Sequence, residues 1–144
     1  MITVVDASVA LKFQFHDEEA TGAAALLLAH YVEGKIDLIA PTLLPYEIVS
    51  AIHVAINRKR IEESVGYKAV SYLISLGIRL HQFDELIEAT FKLARKHGLS
   101  PYDCCYVALA ERMKCDFITG DKRLYSSCQN KIRRVKWIGD YPNP

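Results

Sequence analysis

The 144-residue sequence predicts an α/β domain with a mainly parallel central sheet flanked by helices. Three observations carry this. Short apolar, β-branched runs of strand length alternate with longer segments of helical periodicity, and short turns join them. The first run, Ile2-Thr3-Val4-Val5, is almost continuously apolar, as a strand buried on both faces of a parallel sheet must be. A hydrophobic content of 51% over this length supports one sizeable core, hence a single domain over residues 1–144. No internal repeat, low-complexity segment or linker interrupts it.

In chain order, residues 2–5 form the first strand, which ends at Asp6. A helix rich in Ala and Leu runs from Asp17 or Glu18 to about Val32, with Gly34 as its stop. Residues 36–40 form a second strand, closed by Pro41. Thr42 caps a helix to about Lys59, with Pro45 tolerated in its first turn. A further helix spans 61–76 and stops at Gly77. Residues 78–83 alternate apolar and polar as a strand. Asp84 caps the next helix, which ends at Gly98. Ser100 and Pro101 mark a strong helix start, the serine as N-cap and the proline as first helical residue, with the helix running to about Lys114. Residues 117–119 are a strand, 121–129 a short helix and 135–138 a last strand, followed by an irregular tail, 141–144.

The formal net charge of +1 excludes a strongly basic nucleic-acid-binding surface, so contact with nucleic acid must come from local patches. The longest apolar run, residues 23–29, is far short of the ~20 residues of a spanning helix. The N-terminus lacks the basic and apolar regions of a signal peptide, and a cytoplasmic location is expected. Cys104, Cys105, Cys115 and Cys128 form no C-x-x-C pair. The adjacent Cys104 and Cys105 read as small buried groups, and a Cys115–Cys128 bridge is conceivable.

Four acids stand out. Asp6 and Asp121 each follow a strand, and in parallel sheets the site lies outside the carboxyl ends of the strands. Each also reads as a turn residue or helix N-cap, with Gly120 permitting a tight turn before Asp121. At about 100° per residue, Glu47 falls between Val54 and Ala51 on its helix, next to Leu44. A carboxylate in an apolar stripe is costly unless it is paired, for example with Arg58, or holds a metal. Asp103 can bond back to the Ser100 amide as in a capping box. The same residue shares a face with Tyr106, Val107 and Ala110, and that face should point at the core. Four carboxylates gathered together would repel and raise each other's pKa. Divalent cations relieve that repulsion, and hard oxygen ligands suit Mg²⁺ or Mn²⁺. Carboxylate-held ions can activate a water and stabilise the leaving oxygen of a phosphodiester. The chain has no P-loop, G-x-G-x-x-G, G-x-S-x-G or H-E-x-x-H motif to compete with this reading.

Val5-Asp6-Ala7-Ser8-Val9, Tyr46-Glu47-Ile48, Ser100-Pro101-Tyr102-Asp103 with Tyr106 to Ala110, and Ile118-Thr119-Gly120-Asp121 occur in an order and spacing that resemble the PIN-domain ribonucleases. More narrowly, they resemble the VapC-type toxins of type II toxin–antitoxin pairs. The resemblance covers nearly the whole chain. Ala7, where Thr is common, and the Cys104-Cys105 pair depart from the pattern modestly. The resemblance implies a single PIN-like domain with helices on both sides of the sheet and a Mg²⁺- or Mn²⁺-dependent endoribonuclease. Asp6, Glu47, Asp103 and Asp121 would be its metal-binding acids, with Ser8 and Thr119 as flanking hydroxyls. It further implies a homodimer and a small antitoxin that inserts a segment at the active site.

On this reading one or two ions serve the attack of water on the scissile phosphate of single-stranded RNA, leaving a 5′-phosphate and a 3′-hydroxyl. Asp103 and Glu47, as the more buried acids, would also order the water. Lys12, Arg58-Lys59-Arg60 and Lys122-Arg123 are candidates to hold backbone phosphates, Lys122 and Arg123 foremost because they follow Asp121. Each cluster also reads as solvated surface, as do Lys131, Arg133, Arg134 and Lys136. The five histidines read as structural or surface groups, and Trp137 and the tyrosines as core or interface. The apolar helices 18–32 and 42–56 suggest a dimer face or antitoxin groove as well as core. The alternatives are a PIN domain that processes RNA without being a toxin and a catalytically silent PIN scaffold. A phospho-acceptor receiver would need an acidic pair after the first strand, and a D-x-D phosphatase a second Asp. Asp6-Ala7-Ser8 supplies neither.

Overall fold

The computed structural model describes residues 1–16 and 19–143. Five strands, β1 (Ile2–Val5), β2 (Asp37–Pro41), β3 (Arg79–His81), β4 (Asp116–Thr119) and β5 (Val135–Trp137), form one sheet in the order β3-β2-β1-β4-β5. Every neighbouring pair is parallel. The central strands are the apolar, β-branched runs, and Val4, Val5, Ile39, Ala40 and Phe117 are fully buried. The edge strand β3 carries the alternating sequence and is largely exposed, as one-sided coverage dictates.

Seven helices are described: α1 (Ala7–Lys12), α2 (Thr21–Val32), α3 (Leu44–Asn57), α4 (Glu63–Ser75), α5 (Ile87–His97), α6 (Pro101–Met113) and α7 (Lys122–Cys128). The chain builds outward from β1 through β2 to β3, then returns across the sheet to β4 and β5. With right-handed crossovers that reversal places α1–α4 on one face and α5–α7 on the other. The packing agrees, since α1 meets α2 and α3, α3 meets α4, and α5 packs on α6. Helix α6 lies against β1, β2 and β4. Residues Cys104 to Ala110 are buried without a break, as expected of a helix covered on all sides.

Several local expectations are corrected. The short helix α1, too brief to show a period, begins directly after Asp6. Thr42 does not cap α3, whose N-cap is Leu43 with no side-chain bond. Asp84 lies in a 3₁₀ turn, Phe83–Glu85, and α5 starts later, after Leu86. Pro41 is the last residue of β2 rather than a stop beyond it. The expected start of α2 at Asp17 or Glu18 lies outside the described residues, and Glu19 and Ala20 form a turn. Gly77 and Gly98 do terminate their helices, at φ +68° and +65°, a region that penalises any side chain. All four cysteines are free, so no Cys115–Cys128 bridge forms, and Cys104 and Cys105 are buried. Among the described residues no helix is long and apolar enough to cross a membrane.

Candidate active site

The topological switch point lies between β1 and β4, where connections leave in opposite directions and a crevice opens at the carboxyl ends. The register pairing Val5 with Ile118 sets Asp6, the first residue past β1, beside Thr119, the last residue of β4. Asp6 is 8% exposed, yet both its oxygens are satisfied. Oδ1 accepts from the Val9 amide at 3.1 Å and from the Ser8 hydroxyl, while Oδ2 accepts from Thr119 Oγ1 at 2.5 Å. Asp6 thus caps α1 and anchors a hydroxyl network at once. Burial raises its pKa and these hydrogen bonds lower it, with a net upward shift.

The same network fixes the turn after β4. Ser8 Oγ accepts from the Gly120 amide at 2.7 Å, and Thr119 Oγ1 accepts from the Asp121 amide at 3.0 Å. Gly120 serves close approach rather than a left-handed turn. A Cβ there would lie 2.7 Å from Lys12 Cε and 3.1 Å from the Ser8 carbonyl oxygen. Asp121 Oδ1 accepts from the Arg123 and Leu124 amides at 2.9 and 3.1 Å, so it caps α7 as expected while staying exposed.

Glu47 sits in the first turn of α3, half-buried. The buried stripe of α3 is Leu44, Ile48 and Ile52, and Val54 is 40% exposed. Glu47 therefore flanks the buried stripe instead of lying inside it. Its Oε1 accepts a 2.5 Å hydrogen bond from the Tyr106 hydroxyl. Tyr106 is itself buried, stacked on Phe117 with ring centroids 5.4 Å apart. The sequence places Tyr106 only on the inward face of α6. The signal that it serves the site was available, because a buried tyrosine hydroxyl needs a partner.

Asp103 stands in the first turn of α6, opened by Ser100, whose Oγ accepts from the Tyr102 amide at 3.2 Å. The reciprocal bond from Asp103 to the Ser100 amide is not formed, and Asp103 is left without a hydrogen bond among the described residues. Burial, then Asp121 and Asp6, raise its pKa to about 6. Glu47 is also shifted up, by burial and by the charges of Asp6 and Asp103. The four acids thus act on one another electrostatically. The most buried is Asp6, which corrects the expected ranking, while Glu47 and Asp103 are half-buried and do lie deeper than the exposed Asp121.

Among the described residues no lysine or arginine forms an ion pair with any of the four. Nor do three of them close into a ready-made cage for an ion. Of the basic candidates, Lys12 is 3% exposed and borders the site beside Gly120 and Ser8. Lys122 is ion-paired with Glu19 and lies 5.5 Å from the Trp137 ring centroid, so it is engaged elsewhere. Arg123, Arg58, Lys59 and Arg60 are exposed.

The PIN-domain family model matches residues 3–128. The VapC ribonuclease Mb0985 of Mycobacterium bovis is 31% identical over 126 residues, covering 88% of this chain and 91% of that one. This chain belongs to the PIN-domain family, among the VapC ribonucleases. The ribonuclease VapC3 of Pyrobaculum aerophilum is 28% identical over 126 residues, with 86% and 92% of the two chains covered. In fold, this PIN domain is similar to the crystal structure of PAE2754 from Pyrobaculum aerophilum, with a TM-score of 0.66 and 18% identity over 96% of this chain and 84% of that one. It is likewise similar to Mycobacterium tuberculosis VapC20, a sarcin-ricin loop cleaving toxin, at a TM-score of 0.63 and 16% identity over 88% and 95%.

Proposed function

We propose that this PIN domain is a Mg²⁺- or Mn²⁺-dependent endoribonuclease of VapC toxin type, hydrolysing phosphodiesters in RNA. The observation that carries the proposal is the gathering of Asp6, Glu47, Asp103 and Asp121 at the switch point, mutually interacting and unpaired with any cation among the described residues.

The residues fit a divalent ion. They offer hard oxygen donors only, and Asp6, Glu47 and Asp103 carry raised pKa values that a cation would reverse. Asp6, Glu47, Asp103 and Asp121 would hold the ion. When bound, it lowers the pKa of water and offsets the charge developing on the phosphate. The protein's own part is positional. Ser8 and Thr119 fix both Asp6 oxygens, and Tyr106 fixes Oε1 of Glu47. Asp103, half-buried in the first turn of α6, accepts no side-chain hydrogen bond among the described residues, which leaves its oxygens to the ion and to water. Exposed Arg123, which follows the acid cluster at the start of α7, is the candidate to meet phosphate, while Lys12 is buried beside the site.

Asp6→Asn and Asp103→Asn variants should keep their circular dichroism spectra and lose Mg²⁺- or Mn²⁺-dependent RNA cleavage by roughly 100-fold or more. Cleavage undiminished in both would sink the assignment. A cytoplasmic homodimer, held inactive by a cognate antitoxin, completes the proposal. Its support is the apolar surface left open on α3 and α4, where Val49, Val65, Tyr67 and Ile74 are each 42–72% exposed. The cognate antitoxin should abolish cleavage in the same assay. Retained cleavage at excess antitoxin would refute that part.

A further inference from the structure

A cavity of about 400 Å³ opens beside the acid cluster, lined by Leu43, Tyr46, Phe83, Pro101, Tyr102 and Cys105. Its volume is in the range of a small-ligand site, ~300–1,000 Å³. Tyr46 and Tyr102 are the immediate chain neighbours of Glu47 and Asp103, so the cavity and the acids share the first turns of α3 and α6. Both lie at the carboxyl edge of the sheet. The acids Asp6 and Asp121 follow β1 and β4, whereas Leu43 and Phe83 follow β2 and β3. The cavity therefore continues the site sideways toward the β3 edge.

Its chemistry is the reverse of the acid cluster's. Tyr46, Tyr102 and Phe83 are 76%, 66% and 43% exposed, a concentration of aromatic surface facing water. No lysine, arginine or histidine lines it, and its polar groups are Thr42 and the two tyrosine hydroxyls. A phosphate finds no partner there. A nucleobase does, because every base has a π-face that stacks on aromatic rings regardless of sequence. A strand whose scissile phosphate sits at the acids must carry its adjoining nucleotide along the sheet edge on one side or the other.

Building on the ribonuclease reading, we propose that this cavity is a nucleobase subsite. It takes one unstacked base adjoining the scissile phosphate, held by Tyr46, Tyr102 and Phe83. The subsite selects single-stranded over paired RNA, since a base within a helix cannot enter it, and it is tolerant of base identity.

The test is kinetic, with the full-length protein, Mn²⁺ and a short single-stranded RNA of known cleavage position. Tyr46→Ala and Tyr102→Ala should each raise KM roughly tenfold with kcat changed little, and Tyr102→Phe should retain wild-type KM. On the same RNA made abasic at each nucleotide flanking the cleaved bond in turn, wild-type KM should rise at one position. At that position the alanine variants should lose no more. A 2-aminopurine placed there should be quenched on binding, less so with Tyr102→Ala. Wild-type kinetics in both alanine variants on intact RNA would overturn the subsite while leaving the ribonuclease reading intact. Variants that lose only antitoxin binding or dimer mass would overturn it equally, and would make the cavity a protein interface. Absence of any RNA cleavage by the wild-type protein would overturn both.

Discussion

At the residue scale, one hydroxyl separates a well-aimed carboxylate from a loose one. Tyr106 donates to Glu47 Oε1, and this bond favours the ionised form that an ion requires. Tyr106→Phe keeps the stacked ring and removes the donor. Mn²⁺ affinity measured by calorimetry should fall roughly 10–100-fold, and the acid limb of the pH–rate profile should move to higher pH. Unchanged affinity and profile would show that Glu47 is not oriented through Tyr106. The metal-free protein offers a second check. Asp103 titrates at about 6 when folded, above the ordinary carboxylate 3.8. Between those values the folded state keeps a proton that the unfolded state has lost, so the group's stabilisation is present at low pH and disappears as pH rises. Asp6 and Glu47 act in the same direction. The melting temperature of metal-free protein should therefore fall between pH 4.5 and 7. Added Mn²⁺ should restore it at pH 7, and the Asp103→Asn variant should show a shallower fall. A melting temperature that rises over this window would contradict the arrangement. The four acids were each legible in the sequence from their places near strand ends or helix starts. Their relative burial was not, because it depends on which strands lie beside them.

At the scale of elements, α6 is decisive. Ser100 and Pro101 set its first turn, the unbroken apolar surface from Cys104 to Ala110 locks it against β1, β2 and β4, and Asp103 is carried along. Ser100→Ala removes the bond from the Tyr102 amide. It should cost about 1 kcal/mol, seen as a drop of about 3 °C in melting temperature. No measurable drop would show that the cap contributes nothing. This helix was readable because a serine, a proline and a long apolar segment agree. By contrast, α1 was not, since six residues span less than two turns and show no period. Thr42 and Asp84 misled for a shared reason. Capping preference is local, and the packing of Leu44 and Leu86 into the core decides where each helix begins.

For the whole molecule, the strand order β3-β2-β1-β4-β5 places the switch point at β1 and β4 and thereby creates the site. The same wrapping leaves α3 and α4 with apolar residues facing water. If that face pairs two copies, light scattering at micromolar concentration should return twice 16.3 kDa, and Ile74→Lys should return the single mass. A single mass for the wild type would remove the dimer from the proposal.

By itself the sequence determined the α/β class and the parallel sheet, and it singled out the four acids. These follow from local chemistry: β-branched runs, helix starts, and carboxylates where chain direction changes. Tertiary structure alone decided that Tyr106 holds Glu47, that Lys122 turns away to Glu19, that Gly120 lies close against Lys12 and Ser8, and that an aromatic cavity adjoins the acids. Each of these joins residues distant in the chain, and only the register of the sheet and the packing of α6 bring them together.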